Sequence, residues 1–305
     1  MKKLNMMLAA LVAINLFLPA CHLSVDNDRL QIVVTYSVLG SLVKELVGED
    51  ARVTVSVPNG MDPHEWEPSA RDIEAINRAD IVVRNGLGLE SGLGKTFSEA
   101  ERRGVKFFTA ADYIDIRYVG SDGDDYFEDH NHDHQPGAPD PHLWTDPLAM
   151  KAVIVALAEE LSIGFGLNVS DRAVNLCVRL DSLNDAIRAK LATVPEDGRK
   201  LVTGHESLGY FAHRYGFRLI GAIIPSLTSQ AEVSASDLAA LKRLIIENQV
   251  KVVFTEVGTS AAVANAVSRE TGVHLVEINT HLLPADGSYF TLMEELSQTI
   301  GEALK

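Results

Sequence analysis

The chain alternates short apolar runs with longer segments in which apolar residues recur every three or four positions. Four runs of strand length lie in the first half, at residues 30–35, 52–57, 80–84 and 106–108. Helical spacing follows the first run at residues 36–47 and precedes the third at 69–78. Continuous β-branched runs are typical of strands buried on both faces, and their alternation with helices indicates βαβ units. The pattern therefore predicts a mostly parallel sheet flanked by helices.

The second half repeats this rhythm. Its strand candidates are residues 200–203, 219–221, 250–256 and 274–278. Its helix candidates are residues 207–215, 234–248, 260–271 and 289–303. We therefore predict an α/β protein of two lobes, each with a mostly parallel sheet flanked by helices.

Two helical segments are predicted between the lobes. The first covers residues 147–163, with Asp146 as its cap and Pro147 in its first turn. After a break at 164–168, Ser170 is expected to cap an amphipathic helix ~35 Å long at 1.5 Å per residue. A connection of this stiffness disfavours a wide hinge motion between the lobes. The predicted division is an N-terminal lobe at 21–168, a rigid linking helix at 169–195 and a C-terminal lobe at 196–305.

The first twenty residues have the organisation of an export signal. Two lysines precede a short apolar stretch at residues 4–17, and Leu-Pro-Ala-Cys follows at 18–21. Cysteine after a small residue resembles a bacterial lipobox, so acylation of Cys21 and simple cleavage are the two alternatives. Both place the mature protein in the periplasm or on the outer face of the cytoplasmic membrane.

The net charge of the chain bears on which classes of ligand the protein can bind. Lysine and arginine number 27 against 42 aspartates and glutamates, which gives a formal net charge of −15. An excess of this sign argues against binding to nucleic acid and is compatible with binding to cations.

Three of the ten histidines lie in loops whose backbone is expected to be rigid, because prolines or predicted strands adjoin them. His64 lies in MDPHEWEP after the run at 52–57, and His142 lies in DPHLWTDP. His205 follows the run at 200–203 through a glycine. Ligands bind at the carboxyl ends of parallel strands, and neutral imidazole suits Zn²⁺. The repeated Asp-Pro-His-x-Trp motif favours a metal site in the crevice between the lobes over three unrelated loop histidines.

Carboxylates adjoin each of these histidines. Asp62, Asp140 and Glu206 are predicted to orient the imidazole rings through the nitrogen that faces away from the metal.

Several segments resemble, in order, the cluster A-I metal-binding proteins, the extracytoplasmic solute-binding components of zinc and manganese ABC importers. They are residues 61–68 (MDPHEWEP), 85–90 (NGLGLE), 140–147 (DPHLWTDP) and 203–211 (TGHESLGYF). The similarity is greatest to the zinc-binding, ZnuA- or AztC-like members. It implies two α/β lobes joined by a long rigid helix, a metal between them, delivery to an importer permease and no enzymatic activity. We expect the protein to be a monomer.

The resemblance also implies a ligand set. The first three ligands of the family fall on His64, His142 and His205. Manganese-type members carry a carboxylate where His205 stands, so nitrogen at this position favours Zn²⁺ as the transported ion. A manganese- or iron-binding member of the same family is the alternative. The fourth ligand is usually an aspartate, and here His281, Asp286 and a solvent-filled position all stay open.

An acidic, histidine-rich loop is predicted at residues 121–139. His130, His132 and His134 are spaced by two, which places them on one side of an extended chain. We predict an accessory metal site that captures Zn²⁺ and passes it inward, or accepts it from a periplasmic zinc metallochaperone. The alternative is a solvated insertion without a role.

A zinc-dependent extracellular hydrolase is the alternative from another functional class. Three histidines and an open fourth position are also the pattern of catalytic zinc. The chain contains no His-Glu-x-x-His motif, and GHESLG at 204–209 differs from the Gly-x-Ser-x-Gly motif of serine hydrolases. These observations favour transport over hydrolysis.

Overall fold

The computed structural model describes residues 29–119 and 137–305, and its N-terminal lobe contains a four-stranded parallel sheet. The order across the sheet is β2–β1–β3–β4. The strands are β1 (Leu30–Tyr36), β2 (Ala51–Val57), β3 (Ile81–Arg84) and β4 (Lys106–Thr109). In the centre of the sheet, Val33 pairs with Thr54 on one side and Val82 on the other. The apolar runs at 30–35, 52–57, 80–84 and 106–108 were therefore correctly predicted as parallel strands.

Three helices cover this sheet: α1 (Ser37–Val47), α2 (Ala70–Asn77) and α3 (Gly94–Arg102). Ser69 and Asp72 form a reciprocal capping box that fixes the start of α2. The periodicity did not predict α3, because glycines at 92 and 94 are typical of loops. Phe97 and Ala100 of α3 are buried in a cluster with Ile76, so packing on the sheet outweighs the weak local propensity.

The C-terminal lobe is built from two parallel strand pairs that lie side by side. The pairs are β5 (Lys200–Thr203) with β6 (Arg218–Ala222), and β7 (Val252–Thr255) with β8 (His274–Glu277). Strands β5 and β7 are in contact across the two pairs. The helices are α6 (Gly209–Tyr215), α7 (Ala235–Glu247), α8 (Ala261–Thr271) and α9 (Tyr289–Ala303). The predicted two-lobe α/β architecture is confirmed.

The two helices that join the lobes are α4 (Pro147–Phe165) and α5 (Ser170–Leu191). Helix α4 starts as predicted, with the Asp146 side chain accepting a hydrogen bond from the Leu148 amide. It continues past the predicted end at Ile163 and stops at Gly166, whose φ of 69° lies in the left-handed region. The predicted cap at Ser170 was wrong, because Val169 occupies the cap position of α5 without a side-chain hydrogen bond.

Helix α5 packs against α1 of the first lobe and α9 of the second. Leu180, in the middle of α5, is fully buried in the large core that both lobes share, whereas Val178 is 58% exposed. Leu180→Ala is expected to lower the free energy of unfolding by about 2–5 kcal/mol, because it leaves a cavity. Val178→Ala on the same helix is expected to change it by less than about 0.5 kcal/mol. Denaturant titrations of both variants check this, and equal effects would contradict the packing of α5.

Two predictions lie outside the described residues. The export signal with Cys21 precedes residue 29, and His130, His132 and His134 fall between residues 119 and 137. Among the helices of residues 29–119 and 137–305, none combines the length and apolar character that crossing a membrane requires.

Candidate metal centre

Each candidate histidine is held by a loop that faces the crevice between the lobes. His64 follows β2 in a turn where the amides of Glu65 and Trp66 both donate to the Asp62 carbonyl. His142 lies just before a short 3-10 turn that leads into α4, and His205 follows β5 after one glycine. All three residues are buried. His64 and His205 each follow the carboxyl end of a parallel strand, in the N-terminal and C-terminal lobe respectively, and the His142 loop lies beside them in the crevice.

The three imidazole rings meet at their Nε2 atoms. His142 Nε2 lies 3.2 Å from His64 Nε2 and 3.2 Å from His205 Nε2. The potential ligand atoms of the three side chains all lie within 4.8 Å of one another. Two nitrogens bound to one tetrahedral Zn²⁺ at ~2.0–2.1 Å are separated by about 3.3 Å. The observed spacing fits a metal ion shared by all three rings.

Buried carboxylates hold two of these rings from behind. Asp140 Oδ1 lies 2.8 Å from His142 Nδ1 and also accepts the His142 backbone amide at 2.9 Å. Glu256 Oε1 lies 3.4 Å from His205 Nδ1. With Nδ1 turned towards a carboxylate, the Nε2 lone pair of each ring points into the site.

Of the carboxylates predicted to orient the rings, Asp140 contacts the ring of its own histidine. Asp62 instead accepts the backbone amide of His64 at 2.9 Å. The sequence reasoning missed Glu256, the buried carboxylate beside His205. Glu256 immediately follows β7, at the same edge of the lobe as His205, and that position was the sequence signal that could have identified it.

The electrostatics of the site differ from one imidazole to the next. Burial, together with the neighbouring His142 and His205, lowers the pKa of His64 to about 2. Burial also tends to lower the pKa of His205, but the charge and hydrogen bond of Glu256, together with the charges of Asp62 and Asp140, outweigh it and the pKa is raised. The pKa of Glu256 is in turn held at about 2, because His205 and two hydroxyl donors outweigh the effect of burial. Of these two imidazoles, His205 therefore retains a proton more readily than His64.

His281 and Asp286 have different surroundings. His281 is buried, and its Nε2 has no hydrogen-bond partner among the described residues. Burial lowers its pKa, and the nearby His205 and His142 add to that effect. Asp286 is exposed, accepting hydrogen bonds from the Ser288 amide at 3.0 Å and the Thr291 hydroxyl at 2.7 Å. Its carboxylate thus stabilises the start of α9.

Trp144 closes one side of the site and connects the lobes. Its ring lies 5.3 Å from that of His142, centroid to centroid. Its Nε1 donates to the Thr280 carbonyl at 2.7 Å, and its own carbonyl accepts the Tyr289 hydroxyl at 2.8 Å. Thr280 precedes His281, so the N-terminal lobe fixes the backbone that carries the fourth histidine.

Comparisons with known proteins place the chain in a family. The family described as "Zinc-uptake complex component A periplasmic" matches residues 32–303. The zinc-binding lipoprotein AdcA of Streptococcus pneumoniae is 28% identical over 281 residues, which cover 92% of this chain and 55% of AdcA. The chain thus spans about half the length of that relative.

Two further relatives match over nearly their whole length. The manganese ABC transporter substrate-binding lipoprotein PsaA of Streptococcus pneumoniae is 26% identical over 323 residues, covering 100% of this chain and 99% of PsaA. The solved structure of the periplasmic zinc-binding protein TroA of Treponema pallidum has a TM-score of 0.77 to this chain at 23% identity. That match covers 90% of this chain and 99% of TroA, and it supports the fold.

Proposed function

Because the chain belongs to the family of periplasmic zinc-uptake complex component A proteins, we propose that it is a solute-binding protein that carries Zn²⁺ to an ABC importer. The observation that supports this most directly is the meeting of three buried imidazoles, with Nε2 atoms of His64 and His205 each 3.2 Å from that of His142. Such a cluster has little use in a protein core without an ion, because three desolvated nitrogens face one another there.

The donor set favours Zn²⁺ over Mn²⁺. The matched relatives carry names with different metals, zinc for AdcA and manganese for PsaA, so their names do not decide the question. Imidazole nitrogen suits zinc, whereas manganese prefers carboxylate and water oxygen. The buried carboxylates near the site support this choice, since Asp140 and Glu256 are already engaged with His142 and His205.

We propose His281 as the fourth ligand in preference to Asp286. The unpartnered, buried Nε2 of His281 is the kind of group that needs a partner, and a metal ion supplies one. His281→Ala is expected to weaken zinc binding at least about tenfold, and Asp286→Ala to leave it unchanged while destabilising the start of α9. Chelator-competition titrations of both variants check this. Weaker binding in Asp286→Ala alone would assign the fourth position to that carboxylate.

Hydrolysis is not part of the function. The family is one of metal-binding components of transporters, which are not enzymes. The hydrolase alternative is therefore dropped, and the buried histidines act by holding and releasing an ion.

A role in transport implies a permease as the partner of the protein and a location outside the cytoplasm. We propose delivery of the ion to the permease of an ABC importer, outside the cytoplasm, by a protein exported through its first twenty residues. Anchoring at Cys21 and loading of the histidine-rich loop by a periplasmic metallochaperone remain further proposals. PsaA and AdcA are both named as lipoproteins, which supports the anchored form.

A competition titration tests the proposed function. The metal-free protein is titrated with Zn²⁺ and with Mn²⁺ against a chromophoric chelator at constant pH and ionic strength. We expect one tight zinc site per chain and manganese binding weaker by several orders of magnitude, as the preference of nitrogen ligands predicts. Equal affinity for the two ions, or tighter binding of manganese, would contradict the zinc assignment.

A further inference from the structure

One segment of the C-terminal lobe contacts both the loop that carries His205 and the loop that carries His64. The Ile224 amide donates to the Gly204 carbonyl at 2.9 Å, and the Glu206 amide donates to the Ser226 carbonyl at 3.0 Å. These two hydrogen bonds flank His205 on either side. We call residues 224–229 the strap.

The strap also reaches across the crevice to the N-terminal lobe. The Ser229 hydroxyl donates to Asp62 Oδ2 at 2.6 Å, and the other oxygen, Oδ1, accepts the His64 amide at 2.9 Å. Asp62 is 9% exposed and Ser229 is 8% exposed. A hydrogen bond to an ionised acceptor that is shielded from water is stronger than one between neutral groups. The Asp62 carboxylate therefore ties the His64 loop to the strap.

A third loop lies close to this contact. Gly258, three residues after β7, has a φ of 91°, which a residue with a side chain rarely adopts. A Cβ placed there would lie 3.7 Å from Ser229 Cβ and 3.8 Å from Asp62 Oδ2. The backbone of this loop therefore lies next to the Ser229–Asp62 pair.

We propose that Ser229 is a positioning residue that, through Asp62, holds the His64 and His205 loops together and so sets the rate at which the site releases its metal ion. The inference rests on the proposed function, since it concerns the release of that ion. An ion held between His64 and His205 leaves only when their loops separate. The strap bonds both loops, so this separation must break the hydrogen bond between Ser229 and Asp62.

Release kinetics test the proposal. Zinc-loaded protein is mixed with excess chelator in a stopped-flow instrument. Ser229→Ala is expected to release zinc about tenfold to a hundredfold faster than the wild type, the factor expected for losing one buried hydrogen bond to a charged acceptor. The visible absorption spectrum of the Co²⁺-loaded variant is expected to match that of the wild type, because the imidazole ligands are unchanged.

A matched control and a double mutant make the test specific. Gln230→Ala changes the exposed neighbour of Ser229 and is expected to leave the release rate unaltered. Asp62→Asn weakens the acceptor, and combining it with Ser229→Ala is expected to add little to either single effect. A release rate for Ser229→Ala within twofold of the wild type, or equal acceleration in Gln230→Ala, would overturn the proposal.

Hydrogen–deuterium exchange of the metal-free protein separates this inference from the proposed function. Ser229→Ala is expected to increase the amide exchange of residues 60–66 and 224–229, and Gln230→Ala to leave it unchanged. If titration of the wild type found no tight metal site, the proposed function would fail while this measurement still decided whether the strap joins the loops. Unchanged exchange in both segments of Ser229→Ala would refute the strap itself.

Discussion

Replacing His142 by alanine is expected to weaken zinc binding more than any other single substitution in the site. His142 is central, because its Nε2 lies 3.2 Å from the Nε2 atoms of both His64 and His205. Zinc sites with four ligands supply ~10–16 kcal/mol of binding free energy, so one ligand corresponds to about a hundredfold to a thousandfold in affinity. The loss of His142 also leaves Asp140 buried without its imidazole partner, which adds to the effect.

Chelator-competition titration measures this change directly. His274→Ala is the matched control, since His274 is an exposed histidine on β8. We expect the control to bind zinc as the wild type does, and circular dichroism to show that both variants are folded. A folded His142→Ala variant that binds zinc with wild-type affinity would remove the basis for the histidine site.

Glu256→Gln is expected to change both the strength and the pH dependence of zinc binding. Glu256 lies beside His205 Nδ1 and accepts hydrogen bonds from the hydroxyls of Ser207 and Thr280, each at 2.8 Å. Removing its charge is expected to weaken zinc binding about tenfold to a hundredfold at high pH, as for other residues that orient metal ligands. The amide keeps the shape of the side chain, so the fold is expected to persist.

The pH dependence follows from the proton on His205. In the wild type its pKa is raised above 6.5, so zinc must displace a proton when the pH is below that raised value. Apparent affinity is therefore expected to rise with pH up to the raised pKa and to level off above it. The pKa of His64 is about 2, so this ring does not compete for protons near neutral pH.

In Glu256→Gln the effect of burial on His205 is opposed only by the charges of Asp62 and Asp140, so the pKa of His205 is expected to fall. The zinc affinity of the variant should then level off at a lower pH than that of the wild type. The affinity reached at high pH should be weaker than in the wild type. Titrations over a pH series measure both changes. A plateau that starts at the same pH in the two proteins would contradict the role assigned to Glu256.

Much of the fold follows from local patterns. The β-branched runs predict the strands because a strand buried on both faces needs a continuous apolar stretch. The start of α4 follows from Asp146 and Pro147, which act through their own backbone neighbours. Helix α3 was missed because its stability comes from Phe97 and Ala100, which are buried in a cluster with residues distant in sequence.

In the candidate site, too, some features follow from the sequence and others from tertiary packing. The sequence by itself indicated His64, His142 and His205, because His64 and His205 follow strands and the Asp-Pro-His-x-Trp motif of His64 recurs at His142. Only the tertiary structure decided which groups meet across the crevice. It placed Glu256 beside His205, left His281 Nε2 without a hydrogen-bond partner within residues 29–119 and 137–305, and brought Ser229 to Asp62. These contacts join loops far apart in the chain, so packing of the two lobes, rather than any local spacing, determines them.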